Sequence, residues 1–281
     1  MIRTIPFVWA VGIVATVGLK AFSEDSIFPD KNLEAAVRNY VFAKKDNAQP
    51  LTAEDVRNLS TIHADKKQIK DLRGLEKCVS LAELSLARNE VTDLTPLKDL
   101  KSLQSLDLAK NKVPDLKPLE KSEALQYLNL SENQVQDLSP LSGLKNMQSL
   151  YLTRNQVSDL SPLKGLKKLS SLYLGGNKIS HLEVLANLPW VSSLELSDNQ
   201  IVDIKPIGAL KEVRILFLEK NKIVDLSPLV EAAQADAKGD KRFAPFLRLF
   251  ITDNPLSDES KKSLEALKSL GVRLNPESRP K

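Results

Sequence analysis

The sequence offers few residues of the types that carry out catalysis or bind metal ions. Its two histidines, His63 and His181, lie too far apart for a local metal-binding motif, and we expect neither to meet a serine placed as a nucleophile. The single cysteine, Cys78, cannot close an intrachain disulfide or build a cysteine-based zinc cluster. The chain has ten glycines, and none belongs to a glycine-rich phosphate loop. We therefore expect no catalytic residues, no bound metal and no cofactor.

Charged residues make up 27% of the 281 residues, and their balance argues against a nucleic-acid-binding protein. The formal net charge of +4 is too small to indicate binding to phosphates. Lysines and arginines gather beside a recurring asparagine, but acidic residues interrupt them, so we expect a solvated rim. The basic residues are Arg88, Lys110, Lys112, Arg154, Lys178, Lys220 and Lys222, and the acidic ones are Glu90, Glu132, Asp198 and Glu219.

A period of 22 residues organises most of the chain. Each recurring asparagine has leucines three and five residues before it and a valine or isoleucine two residues after it. The asparagines that keep this interval are Asn89, Asn111, Asn133, Asn155, Asn177, Asn199 and Asn221. The pattern returns more weakly around Asn254, and an earlier weak unit has Lys67 in place of the asparagine. We count eight full units and one partial unit.

Each unit predicts a short strand, a turn and a short helical return. Leu-x-Leu alternation points leucines to the inner side of a strand, and the following asparagine can bond backbone groups that a turn leaves unpaired. Stacked turns would join these bonds into a ladder. At residues 137–141, Asp-Leu-Ser-Pro-Leu predicts a helix start with Ser139 as N-cap and Pro140 at the first helical position. One unit cannot bury its own leucines, so neighbouring units must stack around a common core.

The segments outside the repeats predict an export signal and two caps. Residues 1–23 combine Arg3, an uncharged run over 5–19, and the small residues Ala21 and Ser23 before a cleavage point at Glu24. The run is short for a membrane span, and an uncleaved N-terminal anchor is the alternative. The expected organisation is a signal peptide over 1–23, a helical N-terminal cap over 24–58, repeats over 59–256 with an insertion at about 230–245, a C-terminal cap helix over 257–274 and a polar tail over 275–281.

The pattern Leu-x-x-Leu-x-Leu-x-x-Asn-x-Val/Ile-x-Asp-Leu-x-Pro-Leu resembles the 22-residue leucine-rich repeats of the internalin-like and phosphatase-regulator-like subclass. Residues 28–37 also resemble the helical caps of secreted bacterial repeat proteins. The resemblance implies an α/β fold, namely a right-handed leucine-rich repeat solenoid. Such a solenoid has a parallel β-sheet on its concave face, short α- or 3₁₀-helices on its convex face and helical caps at both ends. Members of this family usually bind other proteins on the concave face.

Side chains that alternate with the inward leucines should face the concave side. Three tyrosines fall on consecutive strands and should lie within about 10 Å of one another, and tyrosine is common at binding hot spots. A more apolar group follows near the C-terminal end, with a glutamate between the two groups. The expected partner-binding residues are Tyr127, Tyr151, Tyr173, Glu195, Ile215, Phe217 and Phe250. The alternative is that these aromatic rings only stack along the sheet.

These expectations favour an exported, monomeric, non-enzymatic protein that binds a protein partner on its concave face. It would work as a secreted, periplasmic or cell-surface protein, and only residues 1–23, if uncleaved, would enter a membrane. One alternative is a structural or scaffolding protein of the cell envelope that binds a polymer or matrix. Another is an intracellular phosphatase-type regulatory subunit, which requires that residues 1–23 are not an export signal. The sequence does not identify the partner.

Overall fold

The computed structural model describes residues 26–276. The segment expected to be an export signal, residues 1–23, lies outside this range, as do residues 277–281 of the expected polar tail. No helix between residues 26 and 276 is long and apolar enough to cross a membrane.

Short parallel strands form one open sheet in the described part of the chain, and they follow one another in sequence order. The strands are β1 (Thr61–His63), β2 (Glu83–Ser85), β3 (Ser105–Asp107), β4 (Tyr127–Asn129), β5 (Ser149–Tyr151), β6 (Ser171–Tyr173), β7 (Ser193–Glu195), β8 (Ile215–Phe217), β9 (Arg248–Phe250) and β10 (Arg273–Leu274). From β1 to β8 each residue pairs with the residue 22 positions later, as Leu128 does with Leu150. The repeat period is therefore the register of the sheet, as a leucine-rich repeat solenoid requires.

Short helical turns return the chain on the side opposite the sheet. The 3₁₀ turns are Phe42–Lys44, Leu75–Lys77, Thr95–Leu97, Lys117–Leu119, Ser139–Gly143, Ser161–Gly165, Glu183–Asn187, Lys205–Ala209 and Ala244–Phe246. The α-helices are α1 (Lys31–Arg38), α2 (Ala53–Val56), α3 (Ser227–Lys238) and α4 (Asp258–Ser269). In most repeats about eight residues lead back to the next strand, which is enough for one or two tight helical turns but not for a regular α-helix.

The expected role of Ser139 as a helix N-cap is wrong. Leu138 occupies that position and Ser139 is already inside the turn. The carboxylate of Asp137 accepts hydrogen bonds from the Ser139 N–H at 2.8 Å and from its hydroxyl at 2.7 Å. The recurring aspartate thus satisfies the first free N–H group of the turn, which is the task that the sequence interpretation had given to serine.

The leucines of successive repeats form one continuous core that runs the length of the sheet. The central residue of each strand from β1 to β9 is an isoleucine or leucine that is fully or almost fully buried. Neighbouring repeats share this interior, so each coil covers the apolar edge that the previous coil would otherwise expose. The leucines lie on one side of the sheet only, and the opposite, concave side carries no second layer of them.

The recurring asparagines join the turns of neighbouring repeats. Nδ2 of Asn155 donates to the carbonyl of Leu152 at 3.0 Å and to that of Leu130, one repeat earlier, at 2.9 Å. Oδ1 of Asn155 accepts the N–H of Val135 at 2.9 Å. The same three bonds recur at Asn254, whose Nδ2 reaches the carbonyl of Leu218 at 2.9 Å. Because Leu152 also accepts from the asparagine of the next repeat, the bonds form a continuous ladder.

The N-terminal helix is fixed to the first repeat by one carboxylate. Asp30 accepts the N–H groups of Asn32 and Leu33 at the start of α1, and its second oxygen accepts those of Lys70 and Asp71. Burial tends to raise the pKa of Asp30, but the four backbone hydrogen bonds outweigh burial and lower it. The sheet edge at β1 is also covered, because the Tyr40 hydroxyl accepts the N–H of His63 at 2.9 Å and lies 3.4 Å from its carbonyl oxygen.

The C-terminal end contains a strand in addition to the expected cap helix. After α4 the chain turns at Gly271, which has a φ of 96°, and β10 then pairs with β9. The side chain of Asn275 accepts the N–H of Ile251 at 2.9 Å, so this residue still belongs to the sheet edge. A Cβ atom at position 271 would lie 3.0 Å from the Cα of Pro245, so this position combines a positive φ with little room for a side chain, and both favour glycine.

Cys78 lies in the leucine core and is fully buried. Burial raises the pKa of its thiol to about 12, and the nearby carboxylate of Glu76 adds to the shift. We predict that Cys78 reacts with Ellman's reagent at least about a hundredfold more slowly in native protein than in urea-unfolded protein, because the thiolate is the reactive form. A Val202→Cys variant provides an exposed thiol as a control. Equal native rates for the two thiols would contradict the buried position.

Candidate functional site

The concave side of the sheet, which faces away from the leucine core, presents two columns of side chains. They alternate along each strand with the buried leucines. The strand register aligns each column across the whole sheet. The central column is His63, Ser85, Asp107, Asn129, Tyr151, Tyr173, Glu195, Phe217 and Phe250. The second column is Thr61, Glu83, Ser105, Tyr127, Ser149, Ser171, Ser193, Ile215 and Arg248. All seven residues expected to bind a partner therefore lie on this face.

Tyr127, Tyr151 and Tyr173 form a tyrosine patch on β4, β5 and β6. The ring centroids of Tyr127 and Tyr151 lie 5.4 Å apart with a tilt of 44°, and those of Tyr151 and Tyr173 lie 4.8 Å apart and are stacked. All three side chains are half-buried. Burial raises the pKa values of Tyr127 and Tyr151, so their hydroxyls stay protonated and can donate hydrogen bonds. The patch is thus a preformed surface with both apolar and hydrogen-bonding parts.

Phe217 and Phe250 form a phenylalanine pair on β8 and β9. Their ring centroids lie 4.5 Å apart and the rings are stacked. Only 5% of Phe217 and 4% of Phe250 is exposed, so the pair offers a partner much less contact area than the tyrosine patch. Ile215, in the neighbouring column, is half-buried. The sequence placed these residues on the concave face but could not show how far they would be covered.

Glu195 lies between the two aromatic groups and is only 8% exposed. Its Oε1 accepts the N–H of Ser197 at 2.9 Å and a short hydrogen bond from the Ser197 hydroxyl. Its Oε2 is buried and has no hydrogen-bond partner within residues 26–276. Burial raises the pKa of Glu195, and the nearby Glu219 carboxylate adds to this shift. The hydrogen bonds from Ser197 and the nearby Gly175 N–H oppose the shift. The Gly175 N–H does not, however, make a well-formed hydrogen bond to Oε2.

A depression of about 410 Å³, which we name the Glu195 hollow, opens beside this carboxylate. It exists because Gly175 and Gly176 replace the larger pairs found in neighbouring repeats, such as Thr153 with Arg154. A Cβ atom on Gly175 would overlap the Glu195 carboxylate. The lining residues are Thr153, Arg154, Tyr173, Gly175, Gly176, Glu195, Ser197, Asp198, Phe217, Glu219 and Lys220. The sequence interpretation missed this site, although the paired glycines break the repeat pattern visibly.

His63 is the only histidine in the two columns of the concave face, and it lies on the first strand. His63 and Ser85 are register partners on β1 and β2, so a histidine and a serine do lie on neighbouring strands. The His63 Nε2 atom, however, lies 3.0 Å from a Glu83 carboxylate oxygen, and the Ser85 hydroxyl donates to Asp65 at 2.6 Å. The imidazole is thus paired with a carboxylate rather than with the serine that nucleophilic catalysis would use. In the described part of the chain, no cluster of three or more metal-binding side chains occurs.

The basic rim beside the asparagines is partly neutralised by ion pairs. Lys110 lies 2.9 Å from a carboxylate oxygen of Glu132, and Lys112 lies 2.9 Å from one of Glu90. These pairs are solvent-exposed and contribute little to stability. They do reduce the positive charge that the rim would present to an anionic polymer.

Comparisons with known proteins agree with this architecture. The family model described as leucine-rich repeats in two copies matches residues 79–121, 101–143, 123–165 and 145–187. No curated protein matches the sequence. The crystal structure of internalin C2 from Listeria monocytogenes is 32% identical, with a TM-score of 0.71, over 81% of this chain and 94% of that one.

Two more distant structures share the fold. The functional domain of InlJ from Listeria monocytogenes is 22% identical with a TM-score of 0.60, over 83% of this chain and 53% of that one. A leucine-rich repeat protein from Leptospira interrogans is also 22% identical, with a TM-score of 0.55, over 80% of this chain and 75% of that one. Given the repeat register, the asparagine ladder and the identity to internalin C2 over almost all of its length, this chain belongs to the internalin-like leucine-rich repeat proteins.

Proposed function

We propose that this protein is an exported, non-enzymatic module that binds a protein partner on its concave face. The observation that carries the proposal is the tyrosine patch, because its three rings contact one another, one pair stacked and the other tilted, and are still half-exposed. Stacking restricts the side-chain rotamers before a partner arrives, so binding loses little further conformational entropy. Tyrosine also offers a large apolar area together with a hydroxyl donor, which is why it is common at protein interfaces.

Binding accounts for the concave face better than catalysis or polymer attachment does. The histidine of this face is paired with Glu83, and the aspartates of the repeats serve their own turns. The basic rim, which a polymer-binding protein would need, is interrupted by acidic residues and paired with them. Residues 1–23 support export, since their charge, apolar run and small residues follow the pattern of a signal peptide.

We predict that replacing Tyr151 and Tyr173 together by alanine weakens partner capture at least about tenfold, because truncation of a tyrosine at a binding hot spot removes about 2 kcal/mol or more of binding free energy. The measurement is cross-linking in the native cells followed by quantitative mass spectrometry of the captured proteins. A Trp190→Ala variant is the control, since Trp190 is 57% exposed but lies outside the strands.

Two outcomes would contradict the proposal. Unchanged capture by the tyrosine double variant would show that the tyrosine patch only stabilises the sheet. A protease-resistant polymer as the sole captured material would favour the scaffolding function instead. Export is tested separately by sequencing the mature N-terminus, which we expect near Glu24 in a secreted or periplasmic fraction. An intact N-terminus in the cytosol would favour an intracellular regulatory subunit.

A further inference from the structure

The Glu195 hollow combines a buried carboxylate with open space next to it. Glu195 is more than nine-tenths buried, its Oε2 lacks a hydrogen-bond partner in the described chain, and its side chain lines the hollow. Burying an ionised carboxylate without full pairing is unfavourable, so such groups are retained where a ligand or partner completes them. The missing partner of Oε2 must be a hydrogen-bond donor, because an ionised carboxylate only accepts.

The charged residues that line the hollow indicate which charge the donor group should carry. Glu219 is also buried and lines the same space, so two of its lining residues are buried carboxylates. The other charged lining residues, Arg154, Asp198 and Lys220, are exposed to solvent, so water screens their charges more strongly. An anionic ligand group would be repelled by the two buried carboxylates, whereas a cation would reduce their mutual repulsion. The buried carboxylates of the hollow therefore favour a cationic group.

Aromatic rings border the hollow on both sides of Glu195. Tyr173 on β6 and Phe217 on β8 flank Glu195 on β7, and all three line the space. Two strand spacings separate Tyr173 from Phe217, which corresponds to about 10 Å. Because Glu195 lies on the strand between them, the separation leaves room above its carboxylate for one extended aliphatic chain with a ring on each side. Aromatic faces also attract ammonium and guanidinium groups through cation–π interactions.

The backbone at the paired glycines leaves room for this ligand group. Gly176 has a φ of 68°, and the equivalent left-handed positions in the repeats before and after it carry Arg154 and Asp198. The left-handed conformation therefore does not by itself require glycine at this position. What the glycines change is space, because Gly175 lies directly against the Glu195 carboxylate and has no side chain to cover it. These two residues distinguish this repeat from the others on the same face.

From this geometry we infer that the Glu195 hollow binds one lysine or arginine side chain of the protein partner, an inference that rests on the proposed function. The ammonium or guanidinium group donates to Oε2 of Glu195, and the aliphatic part of the side chain packs between Tyr173 and Phe217. The tyrosine patch then contacts the partner surface next to this residue. The hollow thus supplies charge specificity, while the tyrosine patch supplies contact area.

The test uses small amino-acid derivatives in place of the unidentified partner. The full chain is labelled with ¹⁵N-glycine, so that its ten glycines give a simple NMR spectrum in which Gly175 and Gly176 report on the hollow. We expect Nα-acetyl-lysine amide to shift these two signals saturably, with weak affinity, while Nα-acetyl-norleucine amide leaves them unchanged. Glu195→Gln, which keeps the side-chain shape, should weaken lysine binding at least about tenfold by removing a charge-assisted hydrogen bond.

Asp107→Asn is the matched control, because Asp107 is a partly buried carboxylate in the same column on β3 and does not line the hollow. This variant should bind the lysine derivative like the unaltered protein. Tyr173→Leu is an independent variant that keeps all charges, and it should weaken binding about threefold through the loss of one cation–π contact. Equal shifts with lysine and norleucine derivatives, no shift at either glycine, or unchanged binding by Glu195→Gln would each overturn the inference.

The same variants separate this inference from the proposed function. If lysine binding is absent while Tyr151→Ala with Tyr173→Ala still abolishes partner capture, the hollow is not a cation site but the concave face is the interface. If Glu195→Gln loses the lysine derivative and partner capture is also reduced, the partner places a cationic side chain in the hollow. If the derivative binds but Glu195→Gln captures the partner fully, the inferred role of the hollow in partner recognition is wrong.

Discussion

Asn155→Ala should lower the free energy of unfolding by about 3 kcal/mol, because it leaves the buried N–H of Val135 without a partner. The variant also removes one of the two asparagine bonds accepted by each of the Leu130 and Leu152 carbonyls. Those carbonyls keep their other asparagine partners, so the unpaired N–H is the dominant loss. Urea denaturation followed by circular dichroism measures the change.

Asn146→Ala is the control for the asparagine ladder. Asn146 is exposed; its side chain donates to the Glu123 carbonyl at 3.0 Å and accepts from the Lys168 ammonium group at 2.7 Å, both at the surface. We expect this variant to change the free energy of unfolding by less than about 1 kcal/mol, as is usual for exposed positions. A loss at Asn155 no larger than that at Asn146 would show that the ladder does not stabilise the fold.

Leu150→Ala should lower the free energy of unfolding by about 2 to 5 kcal/mol, because it opens a cavity in the centre of the shared core. Leu150 is fully buried on β5 and pairs in register with leucines on both neighbouring strands. The coils on either side cannot collapse into the cavity without breaking that register. The same denaturation experiment gives the change in midpoint.

Val202→Ala is the matched aliphatic control, since Val202 is 57% exposed. We expect a change of about 0.5 kcal/mol or less for this variant. The slope of the transition should also stay constant in both variants if the solenoid unfolds as one unit. A Leu150→Ala loss below about 1 kcal/mol would contradict a continuous core at this strand.

The periodic parts of the molecule were predictable because they depend on columns of identical residues. The interval between asparagines equals the register of the sheet, so the concave positions of Tyr151 and Glu195 followed directly from counting. The fold class followed from the same columns, and the register confirms it. A short helix begins within residues 137–141 as predicted, but the N-cap role of Ser139 was wrong, because Asp137 and Ser139 both suit that role and the sequence does not show which side chain reaches the free N–H.

The non-periodic parts could not be predicted in the same way. The small exposed area of Phe250, whose ring stacks on Phe217, could not be read from the repeat columns, because they give the side on which a residue lies and not how far it is covered. The Glu195 hollow depends on the absence of side chains at Gly175 and Gly176. A search for repeated residue types does not reveal the space that such positions leave open. The strand β10 has two residues and no Leu-x-Leu pattern, so its pairing with β9 became visible only in three dimensions.

The outer edge of the first strand is occupied by a side chain of the N-terminal cap. An uncovered parallel strand is a template for pairing with another chain. The Tyr40 hydroxyl accepts the N–H of His63 and lies 3.4 Å from its carbonyl oxygen, so these backbone groups of β1 are already in use. A second copy that added a strand beside β1 would first have to displace the tyrosine, and the occupied edge therefore disfavours filament growth from that end.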